Sequence, residues 1–316
     1  MGKRVVVIGA TGNLGTAVLS ALRADAEITS VDVIDDDLTE PTAANQLTST
    51  MAGADAVIQL APTGTAQIAD AAIRAGIPQL VVTSSVAVYS PVPDAEPVAL
   101  DEELYVEDAA RDGIPGSELS QRAVDRERLL DEIDARGSGL RIARMRSAMV
   151  LQHAAAAEIL DTVLGRRLPW RQLAALPPRR LPVPDGVRLQ AIHAEDAARA
   201  YVRVALTGGV GAYNLAANDL LHGPDLSAVL ATGRTRKLPW PLVRAAARTA
   251  YATRLTPADP GWVELLRRAP LMSTERARTE LGWQPRHTAR HALTELWRGI
   301  KENVADDGSA PNGKTT

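Results

Sequence analysis

Short apolar runs and amphipathic segments alternate along the first half of the chain. Strand-like runs cover residues 4–8, 28–34, 56–60 and 80–84. Between them, apolar residues recur at helical spacing over about 14–22, 43–51 and 66–75. This βαβαβαβ order predicts a parallel sheet with right-handed crossovers. A long helix is expected around 122–136, then a strand at 140–145 and a short buried strand at 189–192. Beyond it the pattern is mostly helical, with clusters of Trp, Pro and Leu. The predicted fold class is α/β: a Rossmann-type doubly wound parallel sheet with a smaller, mostly helical C-terminal substrate domain. The expected boundaries are 1–146 for the Rossmann-type domain and 147–304 for the substrate region, with 189–216 returning to the sheet. Residues 305–316 are polar and rich in Gly, Pro and Asn, and read as a disordered tail.

The first turn carries candidate chemistry. Residues 5–15 read VVVIGATGNLG, an apolar strand that runs into Gly9, Gly12 and Gly15 just before a helix. Glycine allows a tight turn and a close backbone approach to a pyrophosphate. The helix N-terminus offers that group free N–H donors and a partial positive charge. Together these make a dinucleotide-binding fingerprint, with Gly9, Thr11, Gly12, Asn13, Leu14 and Gly15 as the contacts. The alternative is a tight βα turn that no longer holds a nucleotide.

Composition narrows the class further. A chain of 316 residues suits one large domain or two smaller ones. It has no cysteine, which excludes disulfides, thiolate metal sites and cysteine nucleophiles. A net charge of -3 gives no reason to expect nucleic acid. No apolar run approaches the roughly 20 residues of a membrane span, and Lys3 and Arg4 precede only a short apolar run, unlike a signal peptide. The expected setting is cytoplasmic, with a small molecule as partner and neither nucleic acid nor membrane. Phe is absent and aromatics are 3%, so the core must be built from Ala, Leu, Val and Ile.

Seven stretches, in order along the chain, carry a resemblance to a known family. They are GATGNLG at 9–15, DLTEP at 37–41, ADAVIQLA at 54–61, VVTSSVAVYS at 81–90, IHAEDAARAY at 192–201, AYNLA at 212–216 and ERARTELGWQPR at 275–286. The chain resembles an extended short-chain dehydrogenase/reductase of the NAD-dependent epimerase/dehydratase type. The resemblance implies that Asp32 holds the adenosine ribose and that Ser85, four residues before Tyr89, orients the substrate. It implies that His193 and Asp196 cap the following helix. It also implies a homodimer through helices that include the highly charged one around 122–133.

Three departures surround the same pocket. Only Val33 to Asp36 separate Asp32 from Asp37, whereas a parallel crossover needs about a dozen residues, so one strand is missing or two have merged. The acidic run DDDLTEP at 35–41 reads as a solvated loop and helix cap; it lacks calcium-loop spacing, and no metal is expected. After Leu60, Pro62, Thr63 and Gly64 lead directly into the next helix, so the nicotinamide wall is trimmed. The family's acid/base pair, Tyr-x-x-x-Lys, occurs nowhere: the lysines are Lys3, Lys237, Lys301 and Lys314. Leu119 and Ala123 stand at the two positions, and Arg122 is about 100° around the helix from the lysine's place.

The remaining candidates are Ser85, Tyr89, Tyr105 on a loop with Asp108, Arg146 as an anion-binding group and His153 as a general base near neutral pH. Each has a plain structural alternative: a capping hydroxyl, a packed ring or a surface residue. The arginines of 165–184 (Arg166, Arg167, Arg171, Arg179 and Arg180, around Trp170) form either a lid or a solvated connection. The departures lead to the expectation of an enzyme of this fold redeployed for non-redox chemistry on a small molecule. Isomerisation, cyclisation or elimination in secondary metabolism would fit, with no cofactor required and only residual NAD(P) binding. Two alternatives stay open: an NAD(P)-dependent oxidoreductase or epimerase with an atypical proton donor, and a non-catalytic nucleotide- or metabolite-binding pseudoenzyme.

Overall fold

The computed structural model describes residues 2–34, 43–92, 104–165, 181–230 and 234–306. Six parallel strands form the central sheet: β1 (Lys3–Ile8), β2 (Ile28–Ile34), β3 (Ala56–Gln59), β4 (Gln79–Ser85), β5 (Arg141–Ser147) and β6 (Gly211–Leu215). Their order is β6-β5-β4-β3-β1-β2. In β1, Val5 and Val7 face one layer while Val6 and Ile8 face the other, and all four are buried. That two-sided burial is why the strands read as continuous apolar runs rather than as alternation.

Helices α1 (Asn13–Ala24) and α6 (Ala194–Thr207) cover the first face. Helices α2 (Ala43–Met51), α3 (Thr65–Arg74) and α4 (Glu118–Ala135) cover the second. The short α5 (Ala156–Ile159) begins the C-terminal part, which continues with α7 (Gly223–Leu230), α8 (Trp240–Ala252), α9 (Gly261–Arg268), α10 (Glu275–Leu281) and α11 (Ala289–Asp306). A third core lies there, with Leu151 and Leu160 packed against Leu293, Leu296 and Ile300 of α11. The segment after residue 189 returns to the central sheet as β6, whereas Ala191–His193 pairs with Met149–Leu151 outside it.

The spacing around Asp32 now has a structural counterpart. Strand β2 is the sheet edge and pairs only with β1; among the described residues no further strand precedes α2. Asp35 to Asp37, the arginines of 166–180 and residues 307–316 of the tail lie outside the described residues. Among the described residues no helix is long and apolar enough to cross a membrane.

Candidate active site

The strand order reverses between β1 and β3, and ligands of such sheets bind at the carboxyl ends of strands at that point. Gly9 leaves β1 with φ +78°, and a Cβ there would lie 2.5 Å from the backbone nitrogen of Ala61. A Cβ on Gly15 would overlap the Ala10 carbonyl. The protein's own packing thus requires glycine at both positions. Gly12 differs. Its φ of -80° suits any residue, and the nearest atom to its would-be Cβ is Glu158 Oε2, 3.7 Å away. Neither backbone nor packing asks for glycine here. What remains is an open cradle at the N-terminus of a 12-residue helix that has no capping side chain and no acid in its first turn. This arrangement fits a diphosphate.

Around the cradle, Thr11 is exposed. Gln152 Nε2 donates to Asn13 O at 3.0 Å and to Asn13 Oδ1 at 2.5 Å. The Asn13 backbone N–H donates to Glu158 Oε2 at 2.9 Å. Asp32 pairs with Val6 in the β1–β2 register, two residues before β2 ends. Its carboxylate accepts from Arg4 Nε at 2.9 Å, and Arg4 continues to the Thr50 carbonyl at 2.8 Å, so Asp32 braces the sheet edge.

A cavity of about 920 Å³ begins beside α1 at Leu14 and Glu158. It crosses the ends of β4 and β5 at Ser85 and Ser147 and reaches Trp262 and Lys301 in the C-terminal part. Leu119 faces this cavity, while Ala123 is buried and Arg122 pairs with Glu118 on the surface. Ser85 Oγ accepts the Ala87 N–H at 3.2 Å, and the residue borders the cavity. Thr83 borders it too, and its Oγ1 accepts the Tyr201 hydroxyl at 2.9 Å. Burial pushes the Tyr201 phenol up, which makes it a neutral donor rather than a phenolate.

Arg146, Tyr89 and Tyr105 are brought together, but away from the described cavity wall. Arg146 is 2% exposed and Glu127 1% exposed. Arg146 donates from Nε and Nη2 to Glu127 at 2.8 and 2.5 Å, and from Nη1 to the Tyr89 hydroxyl at 2.9 Å. Tyr89 donates to Asn214 Oδ1 at 2.6 Å and meets Tyr105 edge-to-face, with centroids 5.8 Å apart. Burial also pushes the Tyr89 phenol up, despite Arg146. The expected anion-binding arginine is thus committed to a buried carboxylate, and both tyrosines pack beside it. His153 lies apart on the surface, where its Nε2 meets Glu302 Oε2 at 2.5 Å and ties the 153–155 turn to α11. None of these four side chains borders the cavity among the described residues.

Three histidines cluster elsewhere, with the rings of His193 and His287 4.3 Å apart and His291 stacked beside them. His193 Nδ1 accepts the Glu195 N–H, so its proton sits on Nε2, which donates to Glu295 at 3.0 Å. A ring used on both nitrogens is a clamp between α6 and α11 and not a ready metal ligand. Sequence reasoning missed Glu127, Glu158 and Tyr201. Glu127 is one charge among many on α4, and Glu158 meets the glycine turn only in the folded chain.

No family model matches the chain. It is 26% identical over 253 residues to the uncharacterized protein y4nG of Sinorhizobium fredii, covering 78% of this chain and 59% of that protein. The chain therefore spans about 59% of the length of the curated relative it matches. Solved structures are matched nearly end to end. A dTDP-glucose 4,6-dehydratase from Bacillus anthracis in complex with NAD is 14% identical, covering 96% of this chain and 97% of that one, with a TM-score of 0.66. A UDP-glucose-4-epimerase from Stenotrophomonas maltophila with bound NAD is 18% identical, covering 96% and 99%, with a TM-score of 0.66. RMD from Pseudomonas aeruginosa complexed with NADPH is 19% identical, covering 95% and 99%, with a TM-score of 0.66.

The fold is that of the extended short-chain dehydrogenases/reductases. The expectation that no cofactor is required is corrected by these neighbours, which were solved with NAD or NADPH. At Gly12 the space a Cβ would take is open apart from Glu158 Oε2 at 3.7 Å.

Proposed function

We propose that this chain is an enzyme of the short-chain dehydrogenase/reductase fold that holds NAD(P) in the Gly12 cradle. On this reading it isomerises, or eliminates a group from, a small molecule in the adjoining cavity. The observation that carries the reading is continuity. One cavity joins Leu14 and Glu158 beside the glycine turn to the Ser85 and Ser147 hydroxyls at the strand ends. The epimerase and dehydratase named among the structural neighbours favour isomerisation or elimination over net oxidation.

The dinucleotide, when bound, supplies reversible hydride exchange. The chain's own residues supply the rest. The N–H groups at the start of α1 would hold the diphosphate. Because Tyr201 donates to Thr83 Oγ1, the Thr83 proton is left to donate to a substrate oxygen. Ser85 and Ser147 offer further hydroxyls for orientation. With Leu119 in the tyrosine's place, proton exchange falls to such neutral hydroxyls. The wall also includes Leu119, Trp262, Leu265, Leu296 and Ile300, which favour a substrate with an apolar body and exclude water.

Calorimetric titration of nucleotide-free protein with NAD+, NADH, NADP+ and NADPH tests the reading. At least one should bind with a dissociation constant below about 1 mM, equivalent to about -4 kcal/mol. The absence of binding by all four at millimolar concentration would contradict it.

A further inference from the structure

The cradle beside Gly12 already faces an anion that belongs to the protein. The Asn13 N–H, the first free donor of α1, points at Glu158 Oε2 at 2.9 Å, from a residue 145 positions further along the chain. The same oxygen is the nearest atom to the space a Cβ at position 12 would take. Because α1 has no cap and no acid of its own, Glu158 provides the negative group that its N-terminus favours.

We propose that Glu158 is a built-in competitor of the dinucleotide: its carboxylate holds the diphosphate position and must swing out before NAD(P) can enter. This rests on the reading of the glycine turn as a dinucleotide cradle. Two anions on one set of helix N–H donors repel each other, so the carboxylate and the diphosphate exclude each other. The segment that carries Glu158 is anchored by Ala156 and Leu160, which leaves the exposed Glu158 side chain as the part that swings. Helix α5 is only four residues long and passes into a π-turn over Leu160–Leu164, and Glu158 itself is exposed. Wide turns of this kind recur at functional sites. The next residues, Ile159, Thr162 and Val163, line the cavity. Filling the cavity and releasing Glu158 therefore act on the same short segment.

The test is calorimetric titration of NAD+, NADH, NADP+ and NADPH into the wild type, Glu158→Gln and Glu158→Ala, with circular dichroism melting to verify that each is folded. Glutamine keeps the shape and removes the charge; alanine removes the reach. Both variants should bind at least ~10-fold more tightly than the wild type, a change of about 1.4 kcal/mol. Binding by the variants alone would support the competition and contradict the reading that the wild type itself holds NAD(P). Equal affinity in all three proteins, or weaker binding by the variants, would overturn it while leaving the dinucleotide reading intact. No binding by any of the three would overturn both.

Discussion

Four donors converge on the two carboxylate oxygens of Glu127. Ser84 Oγ and Arg146 Nε reach Oε1 at 2.6 and 2.8 Å; Arg111 Nη1 and Arg146 Nη2 reach Oε2 at 3.0 and 2.5 Å. Burial alone would raise this carboxyl's pKa, but hydrogen bonds from Arg146, Ser84 and Arg111 outweigh it and hold the pKa below the ordinary range. The unfolded chain, with a glutamate pKa of about 4.3, binds the proton more readily. The stabilisation is therefore complete above that value and is lost as pH falls through the folded-state value. Glu127→Ala leaves the Arg146 guanidinium buried without its partner, which costs about 3–5 kcal/mol. Urea unfolding followed from pH 7 to pH 3 should show a lower midpoint for the variant and the loss of this group's share of the acid limb. An unchanged midpoint and limb would contradict the role given to the pair. The same network explains why Arg146, Tyr89 and Tyr105 look catalytic in the sequence. They are polar residues at the sheet's carboxyl edge, and only the fold shows that Glu127 takes Arg146, Arg146 and Asn214 take Tyr89, and Tyr105 packs on the Tyr89 ring.

Strand β2 shows what spacing tells and what it leaves out. The few residues between Asp32 and Asp37 leave no room for a crossover, and a single edge strand stands there. The duty of Asp32 was hidden, because it depends on register with β1 and on Arg4, which also donates to the Thr50 carbonyl at the end of α2. Asp32→Asn should cost no more than about 1 kcal/mol, as for other half-exposed pairs, and should change dinucleotide affinity less than about 2-fold. A tenfold loss of affinity by calorimetry would return Asp32 to the ribose. A further brace lies after β3. Strand β3 ends at Gln59, and Arg126 of α4 donates to the Thr83 carbonyl at 3.1 Å and to the Pro62 carbonyl, bracing β4 against the loop that follows β3. Burial lowers the Arg126 pKa.

At the scale of the whole molecule, the alternating strands and helices were legible because the central strands β1, β3 and β4 are apolar on both faces. The glycine turn was legible as a motif, but the division of labour within it was not. Gly9 and Gly15 serve the protein's packing, and only the folded distances single out Gly12. Of the cavity only the Ser85 and Leu119 edge was legible, since the other walls come from β5, α5, α9 and α11. The central claim is that residue 12 is glycine for the sake of a dinucleotide. Gly12→Val tests it most directly, by differential scanning calorimetry together with titration of the best-binding dinucleotide. The expected result is a protein that still folds, destabilised by about 1 kcal/mol because valine is a poor N-cap, and an affinity at least ~10-fold weaker than that of the wild type. A folded variant that binds as tightly as the wild type would contradict the claim.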